Sequence, residues 1–565
     1  MLSDNQLSIV DSAYRAIIAC VTPHTGLKLC GALAAYASFW LLRTWYNLRR
    51  WPGKTLPGPP MAGGLFWGSA ASPRPIDWAC LFLHEEWFKT YGSTLRIWGL
   101  LGRPAIFTLD PIALRHMLAS PAYEKGEAIR HQLGELVGQG LLFSEGAVHK
   151  KQRRVMNPAF GPLQVRRFTE TFISKGNEMR DLWMDLCSRN TTRTDGFIRI
   201  DAFAWLNKVT LDIIGLAGFD YDIDSLHAPE DAPNALHEAV RTLFSFSLTI
   251  SAVLQLFIPP LRKLPTKRVR ETAKAKTQIT EIGMRLISEK KEAILREASS
   301  GSSLEKKDIQ GNDLLSLLIR ANLASDLPEN ARMSDEDILS QVPTFLVAGH
   351  ETTSTAVAWA LYTMSTERDV QQKLRQELLA VSTDAPTDAE LDHLPYLDAV
   401  VRETLRIHPP VFGTEREAVQ DDVVPLKTPY IGTDGVPHHE LLVSKGDLIA
   451  IPIMVMNRSV DFWGEDAHEF RPERWFDLPE AAKELPGAWA NQMTFLGGTH
   501  ACIGYRFSVA EMKALIFTIV RSFEFRLAVS PVDIMRKSMI VGRPALSSNP
   551  AAGSQLPLLI RPVRN

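Results

Sequence analysis

The stretch that most constrains this chain runs from Phe495 to Phe507 and reads FLGGTHACIGYRF. A single cysteine, Cys502, lies there among glycines, which permit tight turns and a close approach of the backbone to a flat ligand. A helix-forming run follows, so the sulfur would meet unpaired N–H groups and the positive end of a helix dipole, which favour a thiolate. A thiolate in such a loop suits an axial ligand of haem iron. The alternative is a buried free cysteine beneath a glycine-rich turn.

Composition and charge exclude several other classes. The 565 residues are 45% hydrophobic, which suffices for one large domain beyond an N-terminal segment. The net charge of −2 gives no global attraction to nucleic acid. The five cysteines lack the spacing of a disulfide framework or of a C-x-x-C zinc site, which indicates a reducing compartment: Cys20, Cys30, Cys80, Cys187 and Cys502.

The N-terminal region has the pattern of a membrane anchor. Residues 26–42 are apolar except for Lys28, and arginines follow at positions 43, 49 and 50. This length is near the minimum for a bilayer span, and basic flanks stay cytoplasmic. Because no small-residue cleavage site is present, we expect an uncleaved anchor within residues 1–55 and one catalytic domain over 56–565. An amphipathic surface helix is the alternative.

Most of the remaining chain has helical periodicity. Beyond the stiff, proline-rich connection Leu56–Pro60, residues 163–225 and 266–297 carry that periodicity with few breakers. Thr94–Trp98 and Ala105–Leu109 alternate as a β-hairpin. We therefore expect a mostly α fold with a small β region.

A second chemical motif lies in a long helix that we expect to begin at Ser334, which can cap it together with an acid three residues on. Pro343 falls inside this helix and must loosen one backbone hydrogen bond. The motif itself is AGHETT, residues 348–353. Ala348 and Thr352 are one turn apart, so a small side chain and a hydroxyl share a helix face.

Two further motifs concern buried charge. Residues 403–406 (ETLR) place Glu403 and Arg406 on one helical face, and Phe470–Trp475 supplies Arg474. Buried charges persist only when they are paired and hydrogen-bonded, and the planar fork of arginine suits that task. We expect the three side chains to form a structural triad.

In this order the motifs resemble those of the cytochrome P-450 family, the haem-thiolate monooxygenases. Phe495, Gly498, Cys502 and Gly504 match the family's haem loop. Ala348, Glu351 and Thr352 match its oxygen-binding motif. Glu403, Arg406 and Arg474 match its charged triad. The resemblance covers roughly Leu56 to the C-terminus. It implies the cytochrome P-450 fold with an N-terminal transmembrane anchor helix, haem b with Cys502 as its axial ligand, room for dioxygen at Ala348, and proton delivery by Thr352 and Glu351.

The same resemblance implies four contacts to the haem propionates. Arg153 and Arg416 match family arginines, whereas His149 replaces the usual tryptophan and His500 the usual arginine. A neutral histidine can still donate one ring N–H. The other basic residues around Arg153 are interpreted either as a solvated patch or as a docking surface for an acidic reductase.

The function implied is insertion of one oxygen atom from O2 into a lipophilic small molecule, by hydroxylation or epoxidation. Electrons would come from NADPH through a separate reductase, with cytochrome b5 as a second candidate partner, at the endoplasmic reticulum membrane. By resemblance the apolar run 243–261 would roof the substrate pocket; an ordinary core helix is the alternative. Terpenoid secondary metabolism is favoured over fatty-acid, sterol or xenobiotic oxidation. A reductase-independent haem-thiolate isomerase or dehydratase and a silent haem-binding scaffold are the other classes.

Overall fold

The structure is a computed structural model, and it describes residues 31, 38, 51–64, 68–69, 78–99, 102–189, 195–229, 234–244, 266–299, 313–324, 327–538 and 540–563. The chain forms two compact units, Met1–Leu56 and Pro57–Asn565. In the first unit the described residues include a short 3-10 turn, Pro52–Thr55. Apart from Gly31 and Ser38, the predicted anchor 26–42 lies outside the described residues, and so does the apolar run from residue 245 onward.

Helices dominate the second unit, as the periodicity predicted. In chain order they are α1 Trp78–Tyr91, α2 Pro111–Ala119, α3 Glu127–Val137, α4 Gly146–Met156, α5 Pro162–Arg189, α6 Ala202–Phe219, α7 Ala235–Phe244, α8 Lys267–Ser299, α9 Leu314–Leu323, α10 Asp335–Leu339, α11 Gln341–Thr366, α12 Arg368–Leu379, α13 Asp388–Asp392, α14 Pro395–Ile407, α15 Ile453–Arg458, α16 Val460–Trp463 and α17 Tyr505–Ser522. Short 3-10 turns include Pro472–Phe476, Met493–Phe495 and Gly498–His500.

Within the part of the chain that the structure describes, the β region is small and divided among four sheets. The strands are β1 Thr94–Trp98, β2 Pro104–Thr108, β3 Tyr123–Glu124, β4 Ile198–Asp201, β5 Thr414–Ala418, β6 Asp422–Ile431, β7 Pro437–Val443, β8 Leu448–Ile451, β9 Phe523–Leu527, β10 Ile534–Ser538, β11 Gly542–Leu546 and β12 Pro557–Pro562. The largest sheet has the order β1-β2-β8-β5-β3, and a second has the order β4-β12-β9; β6 pairs with β7 and β10 with β11. The predicted hairpin is confirmed as β1 and β2, which pair antiparallel with Thr94 opposite Thr108.

The predicted helical stretch 163–225 is interrupted. Gly196 adopts a φ of +69° and β4 follows, after which Asp201 caps α6 by accepting hydrogen bonds from the N–H groups of Phe203 and Ala204. The aspartate cap ends the strand and starts a new helix, because its carboxylate satisfies N–H groups that would otherwise lack partners. Among the described residues, α6 is the one helix long and apolar enough to cross a membrane, and 72% of it is buried within the protein.

The helix expected to start at Ser334 breaks one turn later. Ser334 and Asp337 form the predicted capping box, but α10 ends at Leu339 and α11 starts afresh at Gln341. Pro343 explains the break, because its ring would clash with the carbonyl of residue 339 if the helix continued. Proline instead lies in the first turn of α11, where its missing N–H has no intrahelical acceptor to lose. The expected cap and the hydrogen bond lost at Pro343 are therefore present, and the expectation of one continuous helix was wrong only at Ser340, whose backbone stays in the αR region.

One buried carboxylate caps α2 and also binds the β region. Asp110 accepts hydrogen bonds at one oxygen from the N–H groups of Ile112 and Ala113, both at 3.0 Å. Its other oxygen accepts from the N–H groups of Lys427 and Thr428 in β6, at 2.8 and 2.9 Å. The start of α2 and the strand β6 are thus held by the same side chain.

Glu403 and Arg406 of α14 meet Arg474 of the turn Pro472–Phe476 in the core. Glu403 binds Arg406 through both oxygens, at 2.8 and 2.9 Å, and accepts from Arg474 at 3.4 Å and from the Trp475 indole at 3.0 Å. Glu403 and Arg406 have no exposed surface, and Arg474 is 1% exposed. Arg474 also pairs with Asp466 at 2.5 Å, and Asp466 in turn pairs with the half-exposed Arg471 at 2.7 Å.

We predict that Glu403→Gln destabilises the fold by about 3–5 kcal/mol, because it leaves buried guanidinium groups without a full counter-charge. Equilibrium unfolding in urea, followed by tryptophan fluorescence, measures the change. Glu480→Gln is the matched control: Glu480 pairs with Lys483 but is 85% exposed, so a change within about 0.5 kcal/mol is expected. Equal effects of the two substitutions would contradict the structural role of the triad.

Candidate active site

The cysteine loop is closed by its own backbone. The N–H of Cys502 donates to the carbonyl of Phe495 at 2.9 Å, and α17 begins three residues after the cysteine. Phe495 itself is 9% exposed and packs edge-on against Trp489. Cys502 is exposed, although the interior of the following helix is buried. The loop therefore presents a sulfur on a surface that the protein leaves accessible.

Two glycines let this loop lie against neighbouring backbone. A Cβ on Gly497 would be 1.9 Å from the carbonyl oxygen of Pro486, and a Cβ on Gly498 would be 2.1 Å from that of Leu118. Gly498 also has a φ of +66°, which disfavours side chains. Gly504 differs, because a Cβ there would meet only a Phe160 ring carbon at 3.8 Å. The protein's own packing thus requires glycine at 497 and 498 but not at 504.

Two opposing effects act on the pKa of the Cys502 thiol. Desolvation by the protein around the accessible sulfur raises the pKa, while the Gly504 N–H and the charge of Arg153 lower it. The N–H group at the helix start therefore acts towards a thiolate, and desolvation acts against it. A coordinated metal ion would reverse this balance, since metal ligation deprotonates a thiol.

The AGHETT motif places an accessible patch on an otherwise buried helix. Ala348 is exposed and Thr352 is half-buried, whereas Val347 and Thr353 beside them are 5% and 1% exposed. The Thr352 hydroxyl donates to the Ala348 carbonyl at 2.7 Å, so the pair predicted to share a face is in contact. The small alanine leaves open surface, and the hydroxyl oxygen can still accept a hydrogen bond there.

Helices α11 and α17 are joined directly. The hydroxyl oxygens of Thr353 and Ser508 lie 3.1 Å apart. The accessible patch of α11 and the sulfur that precedes α17 therefore belong to two segments that pack on each other.

Glu351, the predicted proton donor, is buried and paired. Its carboxylate forms an ion pair with Arg543 of β11 and lies 3.9 Å from the His350 ring nitrogen. Burial raises the pKa of Glu351, and Arg543 counteracts part of that rise. Burial also lowers the pKa of His350 to about 4, so that ring is neutral at pH 7. Arg543 lies 192 positions from Glu351, so neither spacing nor motif pointed to it.

A basic cluster surrounds the cysteine loop. Arg153 of α4 donates to the carbonyl of Ala501 at 2.5 Å, next to the cysteine. Arg416 of β5 is 3% exposed and donates to two neutral oxygens, the hydroxyl of Thr414 at 3.4 Å and the carbonyl of Glu415 at 2.8 Å. Among the described residues, no carboxylate forms an ion pair with Arg416.

The two histidines at unusual positions contact each other. The rings of His149 and His500 stack with centroids 4.1 Å apart, and His500 lies 2.8 Å from Glu145. Glu145 in turn pairs with the buried Lys125. The His500 contact and Lys125 lower the pKa of Glu145 to about 2 despite its burial. Sequence reasoning missed Lys125 and Glu145, although Glu145 lies one helical turn before His149.

These residues fit the haem that the sequence motifs imply. A buried guanidinium such as that of Arg416 is stable beside an anion, and its bonds to neutral oxygens leave room for one. Lys125, Arg153 and Arg416 place three cations around this loop, where Glu145 acts on Lys125 and Arg416, and Glu415 also acts on Arg416. Propionates would add the anions beside which such buried cations are stable. The exposed Cys502 would supply the iron ligand, and the accessible Ala348–Thr352 face would supply an uncrowded surface.

Gly498→Ala should lower the free energy of unfolding by about 1–3 kcal/mol, because it combines a left-handed backbone with a clash against Leu118. Gly504→Ala is the matched control within the same loop. It should cost at most about 1 kcal/mol, the usual range for a helix N-cap. Urea unfolding of both variants measures the difference, and a larger loss for Gly504→Ala would contradict the packing argument.

His149 should make the fold sensitive to acid. Burial, with smaller contributions from neighbouring cations, lowers the pKa of His149 to about 4. Below pH 6.5 the His149 ring is protonated in the unfolded chain but stays neutral in the folded chain. The free energy of unfolding therefore falls as the pH drops from about 6.5 towards 4.

We expect His149→Phe, which keeps an aromatic ring, to reduce this pH slope by up to about 1.4 kcal/mol per pH unit. Urea unfolding at several pH values measures it. The exposed His439 provides the control in His439→Phe, and an unchanged slope for His149→Phe would contradict the prediction.

Comparison with known proteins agrees with this geometry. A model of the cytochrome P-450 family matches residues 57–548. Cytochrome P-450 monooxygenase 205 of Postia placenta is 50% identical over 516 residues, covering 90% of this chain and 93% of that protein. Cytochrome P-450 monooxygenase 128 of the same fungus is 46% identical with the same coverage. Monooxygenase claP of Ampulloclitocybe clavipes is 33% identical over 96% of this chain and its whole length. The chain therefore belongs to the cytochrome P-450 monooxygenases, a family of haem-thiolate oxidoreductases.

Proposed function

We propose that this protein hydroxylates or epoxidises a lipophilic small molecule, using O2 and electrons that a separate reductase transfers from NADPH. The observation that carries the proposal is the pairing of an exposed Cys502 with the accessible Ala348–Thr352 face on two helices that pack together. A ligand cysteine alone would suit several haem-thiolate reactions. The threonine hydroxyl and the neighbouring acid Glu351 are the groups that an oxygen-activating reaction needs in addition.

A separate set of residues would bind each part of the haem. When bound, haem supplies the activation of dioxygen at its iron, and Cys502 would be the protein's ligand to that iron. Arg153, Arg416 and the stacked pair His149 and His500 would hold the propionates. Phe495, Gly498 and Gly504 would shape the loop beneath the ring.

Protons would be handled by the α11 motif. Glu351 would carry the proton, because burial raises its pKa and favours the protonated form, while Arg543 favours the charged form. The Thr352 hydroxyl donates to the Ala348 carbonyl, and its oxygen can accept a hydrogen bond on the accessible face. An isomerase or dehydratase of the same family would not need this pair, so turnover without NADPH would favour that second class.

The electron donor would dock on the side of the protein where α4 is basic. Lys150 and Arg154 are exposed there, whereas Arg153 between them turns towards the cysteine loop. Exposed cations favour an acidic partner through long-range attraction. An NADPH-dependent haemoprotein reductase is the proposed partner, with cytochrome b5 as a second. The N-terminal anchor would hold the protein in the endoplasmic reticulum membrane, with the catalytic domain in the cytosol.

For the substrate we propose a terpenoid of secondary metabolism, with fatty acids, sterols and xenobiotics as the other classes. The support is the apolar sequence of residues 243–261, the membrane-anchor pattern of residues 26–42 and the fungal origin of the relatives. Apolar pockets and membrane partitioning both favour lipophilic ligands.

The test is a Soret titration of the purified ferric protein with sesquiterpenes, diterpenes, fatty acids and sterols. A low-to-high-spin shift is expected with terpenoids, because a substrate that fills the pocket displaces the iron-bound water. The CO complex of the reduced protein should show thiolate ligation, and Cys502→Ser should abolish it. A shift with fatty acids or sterols alone would overturn the terpenoid assignment, and loss of thiolate ligation in the unmodified protein would overturn the haem-thiolate function.

A further inference from the structure

The ion pair between Glu351 and Arg543 connects the centre of α11 to a strand that is distant in sequence. Glu351 is 4% exposed, whereas the Arg543 side chain keeps 24% of its surface accessible. The arginine therefore reaches from a partly solvated position to a buried acid. Within the described residues, Arg543 is the charged side chain that both forms an ion pair with the Glu351 carboxylate and contacts solvent.

The strand that carries Arg543 is firmly attached to α11. The indole N–H of Trp359 donates to the carbonyl of Gly542 at 2.7 Å, directly beside Arg543. The guanidinium of Arg536, in the paired strand β10, lies 4.6 Å from the centre of the Trp359 ring. Arg536 also donates to the Pro409 carbonyl at 3.1 Å. These contacts of the hairpin β10–β11 thus fix the backbone position of Arg543.

No other charged group described around Glu351 can replace Arg543. His350, on the same helix, is neutral at pH 7 and uses its other ring nitrogen on the Leu346 carbonyl at 2.9 Å. From α6, the neighbouring contact is the hydroxyl of Thr210, which bonds the His350 carbonyl at 3.2 Å and does not titrate at these pH values.

We propose that Arg543 is a positioning residue that holds the Glu351 carboxylate at the solvent end of the proton path to Thr352. This inference rests on the proposed monooxygenase function. A proton leaves water at the accessible side of Arg543 and binds a Glu351 oxygen, and each proton that Glu351 passes on is replaced in the same way. Arg543 keeps its own charge throughout, because a guanidinium is not deprotonated in proteins. It acts through the orientation and charge of Glu351.

The first test needs no knowledge of the substrate. Purified full-length holoprotein is reconstituted with an NADPH-dependent haemoprotein reductase, and H2O2 released per NADPH oxidised is measured from pH 6 to pH 8.5. Arg543→Gln should raise this ratio towards its limit of one H2O2 per NADPH, because a misplaced acid delivers protons less efficiently. Arg543→Lys should restore part of the original ratio.

The matched control is Arg526→Gln. Arg526 is also a strand arginine in an ion pair, with Asp195 at 2.9 Å, but that pair lies on β9 at the surface. The double variant Glu351→Gln with Arg543→Gln should give the same ratio as Glu351→Gln alone. An additional loss in the double variant, or equal ratios for Arg543→Gln and Arg526→Gln at normal haem content, would overturn the proposal.

A second measurement is independent of turnover. Thermal unfolding of Glu351→Gln, of Arg543→Gln and of the double variant at pH 7 forms a double-mutant cycle. This cycle measures the coupling between the two side chains. The midpoint should fall less in the double variant than the sum of the single changes, because removing both charges leaves neither unpaired. Additive changes would overturn the ion pair itself. If the unmodified protein consumes no NADPH yet the cycle shows coupling, the monooxygenase function fails and the ion pair stands.

Discussion

The free-energy cost of transferring charged side chains from water to the protein interior constrains this fold more than any single contact does. Glu403 has no exposed surface, and the interior accommodates it because Arg406 and Arg474 both reach it. These three side chains come from α14 and from a 3-10 turn about 70 residues later. Since each is destabilising without the others, their assembly forces distant segments into one arrangement. The charged core therefore contributes specificity of fold more than net stability.

The same principle separates two buried acids near α11. Glu351 has the cationic partner Arg543, whereas Glu511 of α17 is 1% exposed and forms no ion pair among the described residues. Burial raises the pKa of Glu511 well above its ordinary value, and the Thr353 side chain opposes only part of that rise. The guanidinium partner favours the charged form of Glu351, whereas burial favours the neutral form of Glu511.

Sequence reasoning succeeded where a motif is local and failed where a contact joins distant segments. The spacing of Ala348 and Thr352 on one helix, and of Glu403 and Arg406 on another, follows from helix geometry alone, so both pairs were predicted. The Arg543 partner of Glu351 belongs to a strand, and only the completed fold brings the two together. The interruptions at Ser340 and at β4 were missed because helical periodicity continues across a break.

The close approach of Gly498 to Leu118 links the small β region to the cysteine loop. Leu118 lies near the end of α2, and the start of that helix shares the Asp110 carboxylate with β6. The position of the cysteine loop therefore depends on a helix of nine residues that is anchored to the two-stranded hairpin β6–β7. A substitution in that hairpin can shift the Cys502 sulfur without changing any motif residue.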